Sequence, residues 1–489
     1  MTDLLQSFLS TNYQVLGLYD LAEISENTSK VYQILNHHHR KEFLPNQVIV
    51  FYTQYVPSEQ LLLHLFDAAK LIDIDPFFIL LCGPLQIQPV IDTVCKNNNS
   101  FKLVNFQVSS KELKNKFYLP DTFCPLPWTH LEVRENGFVF PCCISTENAL
   151  GIIEDGLIQT FHSEKMITLR QEFLEGKKPN SCINCWSKEH RGLISNRIRH
   201  RNFIMKETLI KGLDTPTITR LDIKCGKTCN FKCRICSSER SSLFAEEEAR
   251  YKKIKFNINK NWSEDVNNIS EIVKLLPTLS NIDMTGGEPF LIKSLSRLLK
   301  LAVEQGHAKK IRLHYNTNGS IYPKEFIQYW PEFKEVDIHF SIDALGDKFE
   351  LERGGTWNEV EANILKIKNL NISNMKLAIM PAISIMNIFY IDEVLMWAKK
   401  HNFIVNPNHV IGPEAMSLSQ LTGPAKNYLI DKFKDNPWPE MKKIIQYIQQ
   451  IPDSNGEKFI ELTKHFDSIR KENFSDSHPE IAKAMGYKV

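Results

Sequence analysis

The sequence predicts an α/β chain centred on a partial (β/α)6 TIM-type barrel, and three observations carry that expectation. Six short apolar runs, at 218–223, 282–285, 311–316, 336–342, 376–382 and 403–410, alternate with helix-patterned segments. That order gives parallel strands joined by right-handed crossovers. Two loops bearing reactive side chains follow the first and second runs, and such barrels gather their chemistry at the C-terminal ends of strands. Past Thr422 the chain is helical and amphipathic, notably over 441–451 and 459–469, as suits a tail that closes a barrel's open side or holds a partner.

The first of these loops lies in LDIKCGKTCNFKCRICSS, residues 221–238, where Cys229, Cys233 and Cys236 stand at C-x3-C-x2-C spacing. Three thiolates in a strand-to-helix loop can hold three corners of an iron-sulfur cube, leaving one iron open to bind a small molecule. A structural zinc site needs four ligands, and Cys225 is the available fourth, at a spacing to Cys229 that matches no familiar zinc knuckle. A disulfide framework does not suit a long chain without a secretory signal. With 11 Cys in 489 residues, chance gives one stated three-cysteine spacing in about half a per cent of such chains, so a second motif must decide.

That motif is Thr285-Gly286-Gly287-Glu288-Pro289, directly after the second strand. Two glycines admit a close backbone approach, and the carboxylate can accept from an ammonium group. Alone the stretch reads as a turn. With the three cysteines it resembles the radical S-adenosylmethionine superfamily, whose members carry CNFKCRIC-like cysteines after the first barrel strand and GGE(P) after the second. The resemblance implies a 4Fe-4S cluster on Cys229, Cys233 and Cys236, with S-adenosylmethionine chelating the fourth iron. Gly286, Gly287 and Glu288 would then meet the cofactor. It further implies that Ser341 and Asp343 bind the ribose, that Arg353 pairs with the cofactor carboxylate, and that Asn387 and 410–412 also lie beside it. Without the resemblance, Asp343 reads as a helix cap, Arg353 as a surface ion pair, and the Asn316-Thr317-Asn318-Gly319 stretch as a turn.

The length suggests roughly three domains, and the composition marks four stretches. Residues 1–116 form a small α/β unit, with strands at 48–52, 77–82 and 102–106 and a helix over 58–71. It has neither a D-x-H-x-x-G motif nor a Gly-rich phosphate loop, so its role is open between scaffold and recognition. Cys82 and Cys95 read as buried small hydrophobes, and His37, His38 and His39 as a solvated loop.

Residues 117–212 carry the second cysteine set. A hairpin signal at 131–140 is flanked by Cys124, Cys142 and Cys143, and Cys182 and Cys185 follow at C-x2-C spacing. Taken alone the segment favours a zinc ribbon. It is similar, however, to the SPASM/twitch auxiliary-cluster domain, matched by Cys124, by Gly137-x4-Cys142 and by the C-x2-C pair. The resemblance implies one auxiliary 4Fe-4S cluster on Cys124, Cys142, Cys182 and Cys185, with Cys142 and Cys143 able to exchange roles. Such a closed cluster serves electron transfer. The later cysteines of a full SPASM domain are missing, and the block precedes the barrel where better-known members carry it afterwards. The run with Lys188, His190, Arg191, Arg197, Arg199, His200 and Arg201 reads as a solvated connecting helix.

The barrel then occupies 213–422 and a helical extension 423–489, while 244–268, rich in Lys and Glu, reads as an exposed insertion. Lys and Arg number 59 against 57 Asp and Glu, which argues against a nucleic-acid partner or an anionic membrane surface. No apolar run approaches a membrane span, and a cytoplasmic protein is expected. The resemblance implies reductive cleavage of S-adenosylmethionine to a 5′-deoxyadenosyl radical, hydrogen abstraction from a substrate, and an external low-potential electron donor. Modification of a peptide or protein side chain is the leading expectation, with oxidation of a small polar metabolite as the alternative. A zinc-cysteine binding or adaptor protein is the alternative of another class.

Overall fold

The computed structural model describes residues 120–146, 149–190, 194–201, 213, 215–255, 261–410 and 412–487, with the backbone of four strands ahead of them. His37, His38, His39, Cys95, Arg191, Ile411 and the helix expected over 58–71 lie outside the described residues. The chain divides into two compact units, 1–128 with 167–217, and 129–166 with 218–489. Each is taken by itself.

In the first unit, β1 (Gln14–Asp20), β2 (Gln47–Tyr52), β3 (Ile79–Cys82) and β4 (Asn105–Phe106) form a parallel sheet in chain order. The last three fall where apolar runs predict strands. The sequence reading misses β1, whose QVLGLYD run is interrupted by Gly17 at a register shift, the kind of irregularity that weakens a strand signal. Later in this unit, Phe123 and Trp128 pack with ring centroids 4.8 Å apart, and the Trp128 indole donates to Leu213 O at 3.0 Å.

The second unit holds a nine-stranded sheet. Its strands are β5 (His130–Val133), β6 (Phe138–Phe140), β7 (Gly151–Ile152), β8 (Arg220–Lys224), β9 (Asn281–Thr285), β10 (Arg312–Thr317), β11 (Glu335–Phe340), β12 (Met375–Ile379) and β14 (Ile404–Val405), with β13 (Ala382–Ile383) and β15 (Asn408–His409) paired separately. The spatial order is β14-β12-β11-β10-β9-β8-β5-β6-β7, and the run from β14 to β5 is parallel. The six expected barrel strands are therefore present, two of them split near their ends. The hairpin grouped by sequence with the second cysteine set instead extends the barrel sheet, through His130 opposite Arg220 and Val133 opposite Ile223.

Alternation along each strand gives the sheet two unlike faces. Leu221, Ile282, Leu313 and Val336 share one register level and Ile223, Met284, Tyr315 and Ile338 the next but one, all essentially buried. Amphipathic helices supply the matching apolar stripes, as in Lys293–Glu304, which buries Leu295, Leu298, Leu299 and Ala302. The opposite, concave face is polar. Glu132, Asp222, Asp283, His314 and Asp337 form one level, and Lys224, Thr285, Asn316 and His339 the level nearer the C-terminal strand ends. At the edge, Ile404 of β14 is 68% exposed, and there the barrel stays open.

Residues 261–268 correct the expectation of an exposed insertion. The helix Ser242–Lys252 is followed by buried Trp262, Ser263 and Asn268, of which Trp262 and Ser263 bond the start of the loop after β8. The tail is helical as expected, with its longest helices at Gly423–Phe433, Pro439–Gln450 and Glu457–Arg470. Among the described residues no helix is long and apolar enough to cross a membrane.

Candidate functional site

The loop after β8 is pinned at its base by residues the sequence reading passed over. Asn261 Oδ1 accepts from Lys227 N at 3.0 Å, Ser263 Oγ donates to Cys225 O at 2.6 Å, and the Trp262 indole donates to Lys224 O at 3.2 Å. Cys225 is buried, with its backbone N–H on Thr285 O at 2.8 Å and its thiol on Ile223 O at 3.5 Å. Beyond it, Ser242 Oγ bonds both the N–H and the carbonyl of Cys229 at 3.2 Å, and Cys236 N donates to Cys233 O at 2.9 Å. Ser241 caps the next helix through Phe244 N and donates to Phe231 O at 2.6 Å.

Cys229, Cys233 and Cys236 are partly buried in this loop. Burial pushes Cys229 up to about 11, Cys233 up to about 12, and Cys236 in the same direction; in Cys229 and Cys233 their mutual repulsion adds to it. Arg353 opposes the rise at Cys233 and Cys236, its Nη1 lying 3.9 Å from Cys233 Sγ. Three soft donors that repel one another as thiolates suit a multi-iron core, which spreads them over separate metals. Among the described residues, no three His, Cys, Asp or Glu side chains gather closely enough for a single metal ion.

Gly286 and Gly287 bring the loop after β9 against this one. Gly287 has φ +49°, and a Cβ there would stand 2.3 Å from Thr228 O; at Gly286, φ +76°, it would stand 3.1 Å from Lys224 Cα. The Glu288 N–H completes the junction on Thr228 O at 2.8 Å. The Glu288 side chain is fully buried. Its Oε1 accepts from Phe290 N at 3.1 Å and its Oε2 from Asn318 N at 2.8 Å, while Thr317 Oγ1 lies 2.8 and 2.9 Å from the two oxygens. Burial pushes the carboxyl up to about 7, against the pull of these donors and Arg353. Three donors thus make four contacts to its two oxygens. Thr317 and Asn318 belong to the stretch read as a turn, and they anchor the carboxylate.

Ser341 is half-buried after β11, its N–H on Thr317 O at 2.9 Å. Asp343 is neither a helix cap nor free. Its Oδ2 accepts from Arg353 Nε at 2.8 Å and its Oδ1 from Ala382 N at 2.7 Å. Arg353 is buried and so is no surface ion pair. Asn387 closes its own loop, accepting from Ser384 N at 3.0 Å and donating to Ala382 O at 2.8 Å, and is fully buried.

On the concave face, Lys224 Nζ donates to Thr285 Oγ1 at 2.9 Å and to Asp222 Oδ2 at 3.4 Å, with Glu132 Oε1 at 3.7 Å. Burial opposes the charge on Lys224, but Asp222 and Glu132 outweigh it and hold the ammonium above its usual range. Cys143 opens to solvent, yet the protein around it raises its thiol to about 11, ahead of the effects of Asp222, Lys224 and Glu132. Cys142 lies in this unit too.

In the first unit, Cys124 and Cys185 are buried and Cys182 partly so. Burial raises the Cys124 thiol, and Cys182 and Cys185 raise it further. Cys182 ends the short turn Asn180–Cys182 and Cys185 sits on the helix Ile183–His190. Trp186 steadies this corner by donating to Pro179 O at 2.9 Å. Arg197, read as a solvated cation, is buried. It bonds Glu189 Oε2 at 2.7 Å and Phe123 O at 3.0 Å.

Comparison with known proteins adds to this geometry. Residues 223–398 match the family model described as Radical SAM superfamily, and residues 124–186 match one described as an iron-sulfur cluster-binding domain, SPASM. No curated protein matches the sequence. A solved structure of native anSMEcpe with bound AdoMet and Cp18Cys peptide is similar at 17% identity, covering 49% of this chain and 63% of that one, with a TM-score of 0.34. Streptococcus suis SuiB bound to precursor peptide SuiA is similar at 15% identity, covering 55% of this chain and 60% of that one, with a TM-score of 0.32. The match spans under two thirds of either structure's length. The two family models relate residues 223–398 to the Radical SAM superfamily and residues 124–186 to the SPASM iron-sulfur cluster-binding domain.

Proposed function

We propose that this chain is a radical SAM enzyme that oxidises or cross-links a side chain of a peptide or protein. The observation that carries the assignment of the site is the junction of the two loops. Gly287 lies against Thr228, and Glu288 is held by Thr228 O, one residue before Cys229. In this reading Cys229, Cys233 and Cys236 hold the cluster that binds S-adenosylmethionine. When bound and reduced, that pair supplies a 5′-deoxyadenosyl radical that takes a hydrogen atom from the substrate.

The chain's own residues have distinct tasks in this reading. Glu288 accepts from the cofactor's amino group, with Thr317 and Asn318 fixing its orientation. Arg353, oriented by Asp343, presents its remaining N–H groups near Cys233 and the cofactor carboxylate. Ser341 is the half-buried hydroxyl available to the ribose. Asp343 and Asn387 shape the loops after β11 and β12, since protein donors and acceptors already engage their polar atoms. Lys224, Thr285, Asn316 and His339 line the polar face on which a substrate group would be oriented and kept from bulk water.

Cys124, Cys182 and Cys185 are proposed as ligands of the auxiliary cluster. A cluster with every iron closed suits removal of the electron left on the substrate, which favours a two-electron oxidation. The exposed edge strand β14 offers unpaired backbone to an extended chain, which favours a peptide over a small metabolite in this reading. We assign 1–116, 117–212, 213–422 and 423–489 as functional segments, a reducing cytoplasm as the compartment, and an external low-potential donor as the electron source. The test is anaerobic incubation of the reconstituted protein with dithionite and S-adenosylmethionine. Formation of 5′-deoxyadenosine is expected, and its absence at full iron loading contradicts the reading. Stimulation by a peptide library but not by small polar metabolites supports the peptide substrate, and the reverse assigns the metabolite.

A further inference from the structure

The non-ligand residues between the cluster cysteines face the C-terminal extension. Arg234, between Cys233 and Cys236, is wholly buried; its Nη2 donates to Asp467 Oδ1 and to Glu472 Oε2, each at 2.6 Å. Its backbone N–H donates to Glu352 O at 2.8 Å. Lys232, between Cys229 and Cys233, donates to Glu247 Oε1 at 2.7 Å, and its carbonyl accepts from Arg470 Nη2 at 2.8 Å. Arg470 is itself buried and grips Glu247 Oε2 at 2.7 Å. A third strut joins His478 Nε2 to Glu352 Oε1 at 3.1 Å, on the helix that ends in Arg353.

Apolar contacts alone could cover such a loop, and Phe244 against Phe466 supplies one. The charges do something else. A guanidinium in a dry site is tolerable only while its carboxylate partners stay in place, and Arg234 Nε and Nη1 have no hydrogen-bond partner. The two carboxylates therefore fix where Arg234 can sit. Asp467 is in turn held by Phe474 N at 2.8 Å and Tyr487 OH at 2.7 Å. A displacement of Arg234 would carry both flanking ligands with it, and a cubane tolerates little drift among three thiolates.

We infer that the C-terminal extension is a working part of the SAM-cluster site, with Arg234 and Arg470 as positioning residues that lock the cysteine loop to residues 467–472. The inference rests on Cys229, Cys233 and Cys236 holding that cluster. The test uses the full chain, reconstituted anaerobically with iron and sulfide. Arg234→Met removes the charge at similar volume, and Arg234→Lys keeps it. For Arg234→Met, iron is expected to fall from about eight to about four per chain, with loss of the EPR change that S-adenosylmethionine causes in the reduced cluster. Arg234→Lys is expected to restore most of both. Full iron and an unchanged EPR response in Arg234→Met would overturn the inference. Equal loss of iron from both centres would also overturn it, by assigning Arg234 to general folding. A wild-type chain that takes up no iron would instead defeat the underlying site assignment.

Discussion

Thr317 and Glu288 meet through one hydroxyl placed 2.8 Å from one carboxylate oxygen and 2.9 Å from the other. The contact joins the end of β10 to the loop after β9, and with Asn318 N it orients a carboxylate that has no access to solvent. Glu288→Gln keeps the shape and removes the charge that an ammonium group would meet. Hydrogen bonds to charged groups contribute about 1.5–3 kcal/mol, so affinity for S-adenosylmethionine should fall roughly 10- to 100-fold in anaerobic calorimetry. Unchanged affinity would remove Glu288 from the cofactor site.

The same carboxyl makes binding depend on pH. Burial holds Glu288 at about 7, above its ordinary value of 4.5. In the free chain it keeps its proton below about 7, whereas an ammonium partner selects the carboxylate. Binding should therefore release a proton below pH 7, and affinity should rise about tenfold per unit up to that point, then level off. Without ligand the sign differs. A raised carboxyl pKa stabilises the fold at low pH, and that contribution is lost as pH rises from 4.5 through about 7. Calorimetry in buffers of different ionisation enthalpy reads the proton release, and Glu288→Gln should remove the part of it that grows below pH 7.

Two glycines with positive φ separate backbone strain from close approach. Gly306 has φ +74° and open space around it, while Gly287 has φ +49° and would put a Cβ 2.3 Å from Thr228 O. Gly306→Ala should cost about 1 kcal/mol of stability from its backbone angle and leave cofactor binding intact. Gly287→Ala must also push the cysteine loop away and should lose S-adenosylmethionine binding. Equal effects in the two variants would show that the loop junction does not matter.

Cys182→Ala tests the second centre. Iron should fall to about four per chain, reductive formation of 5′-deoxyadenosine should continue, and turnover of substrate should stop. Continued turnover would rule out electron transfer through the auxiliary cluster.

The parts of the site legible in the sequence were those whose signal is local. Cysteine spacing, Gly286-Gly287-Glu288 and the strand periodicities each lie within a short window, and they place the two loops at strand ends. What holds those loops comes from far along the chain. Thr317 looks like part of an Asn-Gly turn until the parallel pairing of β9 and β10 sets it beside Glu288. Trp262 and Ser263 follow a charged helix that dominates the composition, yet they are buried beneath Cys225. The hairpin strand β5 pairs with β8 some ninety residues later in the chain, and no local pattern distinguishes that from a separate cluster domain. Arg234 reads as one more basic residue of a loop because its partners, Asp467 and Glu472, lie in the tail.

Metal content per chain tests the central claim most directly. Iron, sulfide and zinc would be measured after anaerobic purification and reconstitution. Two cubane clusters require about eight irons with matching sulfide, and that is the predicted result. Zinc with little iron would contradict it, and would make the cysteine sets binding or structural sites.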